Sequence, residues 1–177
     1  MAVLEKIFSF FVPVQTRVEP EIIVPAPLTI YEIRPLTNKH LKEVLILNLR
    51  CFKEGENYTK HTFSYLLNEP NCISYQLVTP NAQMIGFVFV MVEQGIGHIT
   101  TIGVAPEHRR RGLAQRLLGY AENALQKRNI NTVTLEVRIG NFAAQNLYRE
   151  LDYAIVQRLW KYYNNGEDGF LMVKSLF

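Results

Sequence analysis

The chain has 177 residues, 48% of them hydrophobic and 20% charged, an ordinary composition for a soluble globular protein and enough for one sizeable core. Its formal net charge of +3 is too mild, without a dense basic patch, to support a nucleic-acid partner. Two cysteines, Cys51 and Cys72, and four histidines, His40, His61, His98 and His108, show neither CxxC pairing nor ligand spacing, so no metal is expected and the thiols read as buried and free in a reducing compartment, taken as the cytoplasm.

Residues 1–27 read as a separate arm. The apolar run Ile7-Phe8-Ser9-Phe10-Phe11-Val12 is preceded by Glu5, broken by Pro13 and followed by no small-residue cleavage site. It falls far short of the about 20 apolar residues that span a bilayer, so no transmembrane segment is expected. Pro13, Pro20, Pro25 and Pro27 all precede Leu28, which predicts an extended or partly disordered arm. Its role stays open between a membrane-touching or partner-docking arm and a tail packed on its own domain or on a symmetry mate.

Residues 28–177 read as one domain. Thr29 to Arg34 alternates as a strand ending at Pro35. Thr37 then caps a helix whose apolar face holds Leu41, Val44, Leu45 and Leu49. A second helix is predicted from Tyr58 to Leu67, stopped by Pro70. Cys72 to Thr79 and Met84 to Glu93 form a hairpin across Pro80-Asn81-Ala82-Gln83. Gly97 to Val104 pairs antiparallel with the second of these across Gln94-Gly95. Gly112 to Arg128 is a helix with the stripe Leu113, Leu117, Ala121, Ala124 and Leu125, and with Lys127 and Arg128 complementing its C-terminal dipole. Thr132 to Val137 is a strand rich in β-branched residues. Asn141 caps a helix presenting Ala144, Leu147, Tyr148 and Leu151, and Ala154 to Leu159 and Gly169 to Leu176 close the chain as strands. The order β-α-α-β-β-β-α-β-α-β-β predicts an α/β fold, a mixed sheet with helices on both faces.

Between an apolar strand and the best helix lies Arg109-Arg110-Arg111-Gly112-Leu113-Ala114. A Gly-containing turn opening a helix leaves free backbone N–H groups at the positive end of the helix dipole, an anion cradle. Three arginines alone would suit a solvated basic turn. With Gly112 and Ala114 in place, the cradle suits the pyrophosphate of a nucleotide-bearing cofactor.

The element order together with Arg109-x-x-Gly112-x-Ala114 resembles the GNAT N-acetyltransferase superfamily, whose fingerprint is Gln/Arg-x-x-Gly-x-Gly/Ala. Leu135-Glu136-Val137-Arg138, Asn141, Asn146-Leu147-Tyr148, Tyr162-Tyr163 and Glu167-Asp168 further resemble its RimI-like branch, which acetylates the α-amines of protein N-termini. The resemblance covers about Leu28 to Phe177 and leaves the arm unexplained. Two departures stand out. Leu151-Asp152-Tyr153 replaces the usual Leu-Gly-Phe, a change that a left-handed Asp tolerates at modest cost. Phe52-Lys53-Glu54-Gly55-Glu56-Asn57-Tyr58 replaces the Phe-Pro of relatives that accept apolar first residues.

The resemblance implies a mostly antiparallel sheet splayed at strands 4 and 5, acetyl-CoA as cofactor without a metal, and a protein or peptide N-terminus as partner; it fixes no oligomeric state. It implies pyrophosphate on the amides of Arg110, Arg111, Gly112, Leu113, Ala114 and Gln115, with the side chains of Arg109, Arg110 and Arg111 adding charge. Pantetheine would lie along Ile102-Gly103-Val104, whose Val104 amide faces the oxyanion. Glu136, which by alternation alone is a solvated strand glutamate, would be the general base through water. Tyr148, which ring burial alone would explain, would protonate the leaving CoA thiolate. Asn141 would both cap its helix and touch the cofactor. Arg138, Tyr162 and Tyr163, with Glu167 and Asp168, would line the peptide groove, and Phe52 and Tyr58 would wall the first side chain. Neither cysteine lies in this expected site, so direct attack in a ternary complex is expected rather than an acyl-enzyme. A small amine or a lysine as acceptor, or a non-catalytic CoA-binding module, are the competing readings.

Overall fold

A computed structural model describes residues 23–52 and 57–177; the apolar run of the arm and residues 53–56 lie outside the described residues. The strands are β1 (Glu32–Pro35), β2 (Cys72–Val78), β3 (Met84–Glu93), β4 (Ile96–Val104), β5 (Thr132–Arg138), β6 (Ala154–Leu159) and β7 (Gly169–Ser175). The helices are α1 (Leu41–Cys51), α2 (Lys60–Asn68), α3 (Leu113–Gln126) and α4 (Phe142–Glu150). The order is the expected one.

The sheet runs β1-β2-β3-β4-β5-β7-β6, antiparallel throughout except for the parallel β4–β5 pair. Its centre is β3, where every residue from Met84 to Met91 is buried, the mark of a strand covered on both faces. Phe87 and Phe89 meet Phe63 of α2 at centroid distances of 5.9 and 5.4 Å, while a Cβ at Gly86 would meet Leu117 of α3. Each such fully buried aromatic or leucine contributes about 1.5–3 kcal/mol.

Two elements differ from expectation. β1 starts at Glu32, not Thr29, because its partner β2 ends at Val78, which pairs with Glu32, and nothing remains for residues 29–31 to pair with. On α1, Leu49 is 51% exposed and Leu47 is buried instead. A 3₁₀ turn at Asn38–His40, closed by a capping box on Thr37, leads into α1; the helix buries Val44, Leu47 and Asn48, an i, i+3, i+4 face from which Leu49 stands about 140° away. Asp152 does adopt the left-handed conformation, with φ 66°.

The feature that positions a site is the divergence of β4 from β5. Their register covers only Ile96↔Thr132, Gly97↔Val133 and His98↔Thr134. Beyond that, β5 stays with β7 to Arg138, while β4 stays with β3 to Val104. A bulge leaves Thr100 unpaired between Ile99, opposite Val90, and Thr101, opposite Phe89. The extra residue bends β4 away from β5 and opens the gap.

Candidate active site

A cavity of about 760 Å³ occupies the gap. At one end the chain leaves β4 through a 3₁₀ turn at Pro106–His108 and reaches α3 by way of Arg110 (φ 61°) and Gly112 (φ 70°). Left-handed residues within a turn aim successive N–H groups into a shared concavity. The first helical bond of α3 is Arg116 N–H to Gly112 O, at 3.0 Å, so the amides of Leu113, Ala114 and Gln115 have no intrahelical acceptor. A Cβ at Gly112 would approach only Gln115 Oε1, at 3.8 Å. It is therefore the positive φ, not space, that calls for glycine there.

The three arginines do not share one role. Arg109 turns inward, its Nε donating to Val104 O at 3.0 Å and its Nη2 to Cys51 O at 3.1 Å. Arg111 turns away from the cavity and donates to Pro27 O at 3.1 Å, to Tyr31 Oη at 2.7 Å and to Ala26 O. Of the three, Arg109 and Arg110 line the cavity and Arg111 does not. The expectation of three rim arginines is thereby reduced to two.

Along β4, Ala105 N–H donates to Ile85 O at 2.8 Å. In an antiparallel ladder the hydrogen-bonding direction alternates, so the amides of Ile102 and Val104 point into the gap. Gly103 sits between them because a Cβ there would lie 2.9 Å from Phe87 Cζ and 3.0 Å from Cys51 Sγ. Cys51 itself lines the cavity, contrary to the expectation that neither cysteine does. Burial pushes its thiol up to about 11, which leaves little thiolate near neutral pH.

Opposite this edge stands Glu136 on β5. The alternation of β5 buries Val133, Leu135 and Val137 and turns Thr134 and Glu136 to the other face, which is not solvated: the Glu136 side chain is only 10% exposed. Burial raises its carboxyl to about 7, opposed by a hydrogen bond from Tyr162. His98 Nε2 lies 3.3 Å from Glu136 Oε2 and its Nδ1 3.3 Å from Thr134 Oγ1. Burial lowers this imidazole to about 4, so it is neutral near pH 7. The tautomer that satisfies both contacts has Nε2–H donating to Glu136 and Nδ1 accepting from the Thr134 hydroxyl. His98 carried no signal in the sequence, because its meeting with Glu136 depends on the β4–β5 register.

Tyr148 lines the same cavity from α4; it is buried against Tyr153, and desolvation raises its phenol to about 12. Asn141 also lines the cavity, with Oδ1 accepting from Ala144 N–H at 3.1 Å. Tyr58 donates to the bulge carbonyl of Thr100 at 3.0 Å. Asn48, buried on α1, holds Tyr58 in turn by donating to its carbonyl at 3.3 Å. Phe52, Arg138, Tyr162 and Tyr163 complete the wall. Glu167 and Asp168 do not line it. Glu167 accepts from Arg138 at 2.8 Å and from Gly140 N–H at 2.9 Å, and Asp168 accepts from Arg158 and Lys161 N–H. These bonds brace the β6–β7 connection, on which Arg138 also stacks against Tyr163, 3.8 Å from its centroid.

The described residues include no helix long and apolar enough to cross a membrane. Residues 41–153 match the acetyltransferase (GNAT) family. The chain is 36% identical over 151 residues to the N-terminal acetyltransferase A complex catalytic subunit NAA10 of Arabidopsis thaliana, covering 81% of this chain and 77% of that one. The ribosomal-protein-S18-alanine N-acetyltransferase of Escherichia coli superposes with a TM-score of 0.76 at 27% identity, over 83% of this chain and 94% of that one. Arabidopsis thaliana NAA60, solved in complex with acetyl-CoA, shares the fold with a TM-score of 0.72 at 20% identity, over 83% and 99%. By family match, sequence identity and fold, the chain belongs to the acetyltransferase (GNAT) family.

Proposed function

We propose that the protein transfers the acetyl group of acetyl-CoA to the α-amine of a protein N-terminus, in the cytoplasm, by direct attack within a ternary complex. The observation that carries this reading is the buried Glu136 carboxylate, raised to about 7 and backed by His98, across the β4–β5 gap from the amide of Val104. CoA phosphates bind the amides from Arg110 to Gln115 with the charge of Arg110 above them, and the pantetheine amides pair with the free edge at Ile102 to Val104. Asn141 touches the cofactor from the start of α4. Glu136 takes a proton from the ammonium through water. The amine nitrogen then attacks the thioester carbon and the Val104 N–H holds the oxyanion; as the C–S bond breaks, the second proton of the nitrogen passes by way of the Tyr148 hydroxyl to the sulfur, and CoA leaves as the thiol.

Magnitudes favour an α-amine over lysine. Transfer from an α-amine of pKa about 8 to a base near 7 is uphill by about 1.4 kcal/mol, and from lysine at about 10.4 by nearly 5 kcal/mol. They also limit Tyr148. A full transfer from a phenol near 12 to a thiolate of about 8.5 is uphill by about 5 kcal/mol, so Tyr148 shares its proton with the sulfur while the bond breaks. Cys51, held as a thiol, does not take up the acetyl group. Phe52, Tyr58, Arg138, Tyr162 and Tyr163 hold the peptide.

The test is incubation of the protein with acetyl-CoA and peptides whose N-termini are free or blocked, some containing lysine. Acetylation of free N-termini with intersecting initial-rate patterns is expected. Modification of blocked, lysine-containing peptides alone, or CoA binding without turnover, would overturn the proposal.

A further inference from the structure

Residues 23–31 are mostly exposed, yet Tyr31 among them is buried. Among the described residues, the polar contacts of this stretch run to residues 107–116, the loop that opens α3 and the first turn of that helix. Ala26 N–H donates to Glu107 O at 2.9 Å. Arg111 donates to Ala26 O, Pro27 O and the Tyr31 hydroxyl, and Arg116 Nη2 donates to Tyr31 O at 3.1 Å. The Tyr31 hydroxyl, accepting from Arg111 at 2.7 Å, is placed to donate to His108 Nδ1 at 3.0 Å. The two rings pack edge to face at 5.6 Å.

From this we infer that the stretch Ala26 to Tyr31 is a strap that shapes the CoA-phosphate loop, with Tyr31 as a positioning residue; the inference rests on the reading of that loop as the cofactor's phosphate site. Arg110 holds a left-handed φ of 61°. A non-glycine residue keeps such a conformation only where its surroundings over-determine it. Its neighbours supply that constraint from two sides. Arg109 is tied to the ends of β4 and α1 by Val104 O and Cys51 O, and Arg111 is tied to the strap. Without the strap, one of the two anchors is gone and the amides of residues 110–115 lose their common aim. The strap also keeps the charge of Arg111 beside the loop, because carbonyls and a hydroxyl satisfy its N–H groups without neutralising it.

Two variants test this from opposite ends. Tyr31→Phe keeps the buried ring and removes the bonds to Arg111 and His108; Ala26→Pro removes the N–H that meets Glu107 O and leaves Tyr31 intact. In both, amide exchange across residues 105–113 measured without ligand should quicken. The dissociation constant for CoA and the KM for acetyl-CoA should both rise about three- to tenfold, the range expected for the loss of one ordinary hydrogen bond. The kcat and the KM for peptide should hold. Faster exchange or a lower Tm with CoA affinity unchanged would make the strap a stabilising element only and overturn the inference. If Tyr31→Phe fails to fold, Ala26→Pro decides it. A wild-type chain that does not bind CoA would overturn the phosphate-site reading itself, together with the role given to the strap.

Discussion

Glu136 and His98 are displaced in opposite directions by the same burial, up to about 7 and down to about 4. For Glu136 the folded value exceeds its ordinary 4.5. Its contribution to stability is therefore complete below pH 4.5 and is lost as the pH rises through 7. His98, depressed from 6.5, contributes above pH 6.5 and loses that contribution as the pH falls toward 4. In the wild type the two partly cancel, and a single substitution exposes one of them. Glu136→Gln should be inactive yet more stable than the wild type at pH 8, by up to about 3 kcal/mol, with the gap closing toward pH 5. Urea unfolding at the two pH values measures it; a gap that does not change with pH would deny the buried carboxylate. The wild-type kcat/KM should climb with pH through about 7 as Glu136 ionises. Glu136 was legible as a base only through the family resemblance, because alternation alone made it a solvated strand glutamate. His98 was not, since a lone histidine on a different strand gains meaning only from the parallel register that brings it to 3.3 Å.

Local periodicity found the strands and helices in their right order, and where it failed, pairing or phase decided. β1 lost its first residues because β2 had ended, and α1 buries the face of Val44, Leu47 and Asn48, which leaves Leu49 outside it. The divergence of β4 from β5 was legible only through family resemblance, because its cause, the unpaired Thr100, depends on how β3 and β4 register. Two glycines on neighbouring elements should respond in opposite ways. Gly103→Ala places a methyl within about 3 Å of Phe87 and Cys51. Phe87 is completely buried, so the substitution should cost about 1–3 kcal/mol in overpacking. Gly119, inside α3, has nothing within 4 Å of an added Cβ, so Gly119→Ala should stabilise by about 0.5–1 kcal/mol. Chemical denaturation of the two variants checks both signs, and equal effects would contradict the packing assigned to β4.

At the scale of the molecule, β1 to β4 and β5 to β7 form two blocks of sheet joined by three registered pairs at one end of the β4–β5 seam. The amide cradle and the free edge of β4 belong to the first block with α3, and Glu136 and Tyr148 to the second with α4. The proposed cofactor therefore spans the seam, with its phosphates on the cradle and its thioester facing Glu136. Such a ligand stabilises the native state by binding it and not the unfolded chain, by about 2.7 kcal/mol at a hundred times its dissociation constant. For a chain of this size that corresponds to a rise in Tm of roughly 5–11 °C. Acetyl-CoA and CoA should both produce it. Adenosine 3′,5′-bisphosphate, which reaches the cradle but not the seam, should bind more weakly and, at the same concentration, raise Tm by less. Equal shifts from the bisphosphate and from CoA would mean that the pantetheine arm gains nothing from the β4 edge, and that the gap between β4 and β5 does not hold the thioester.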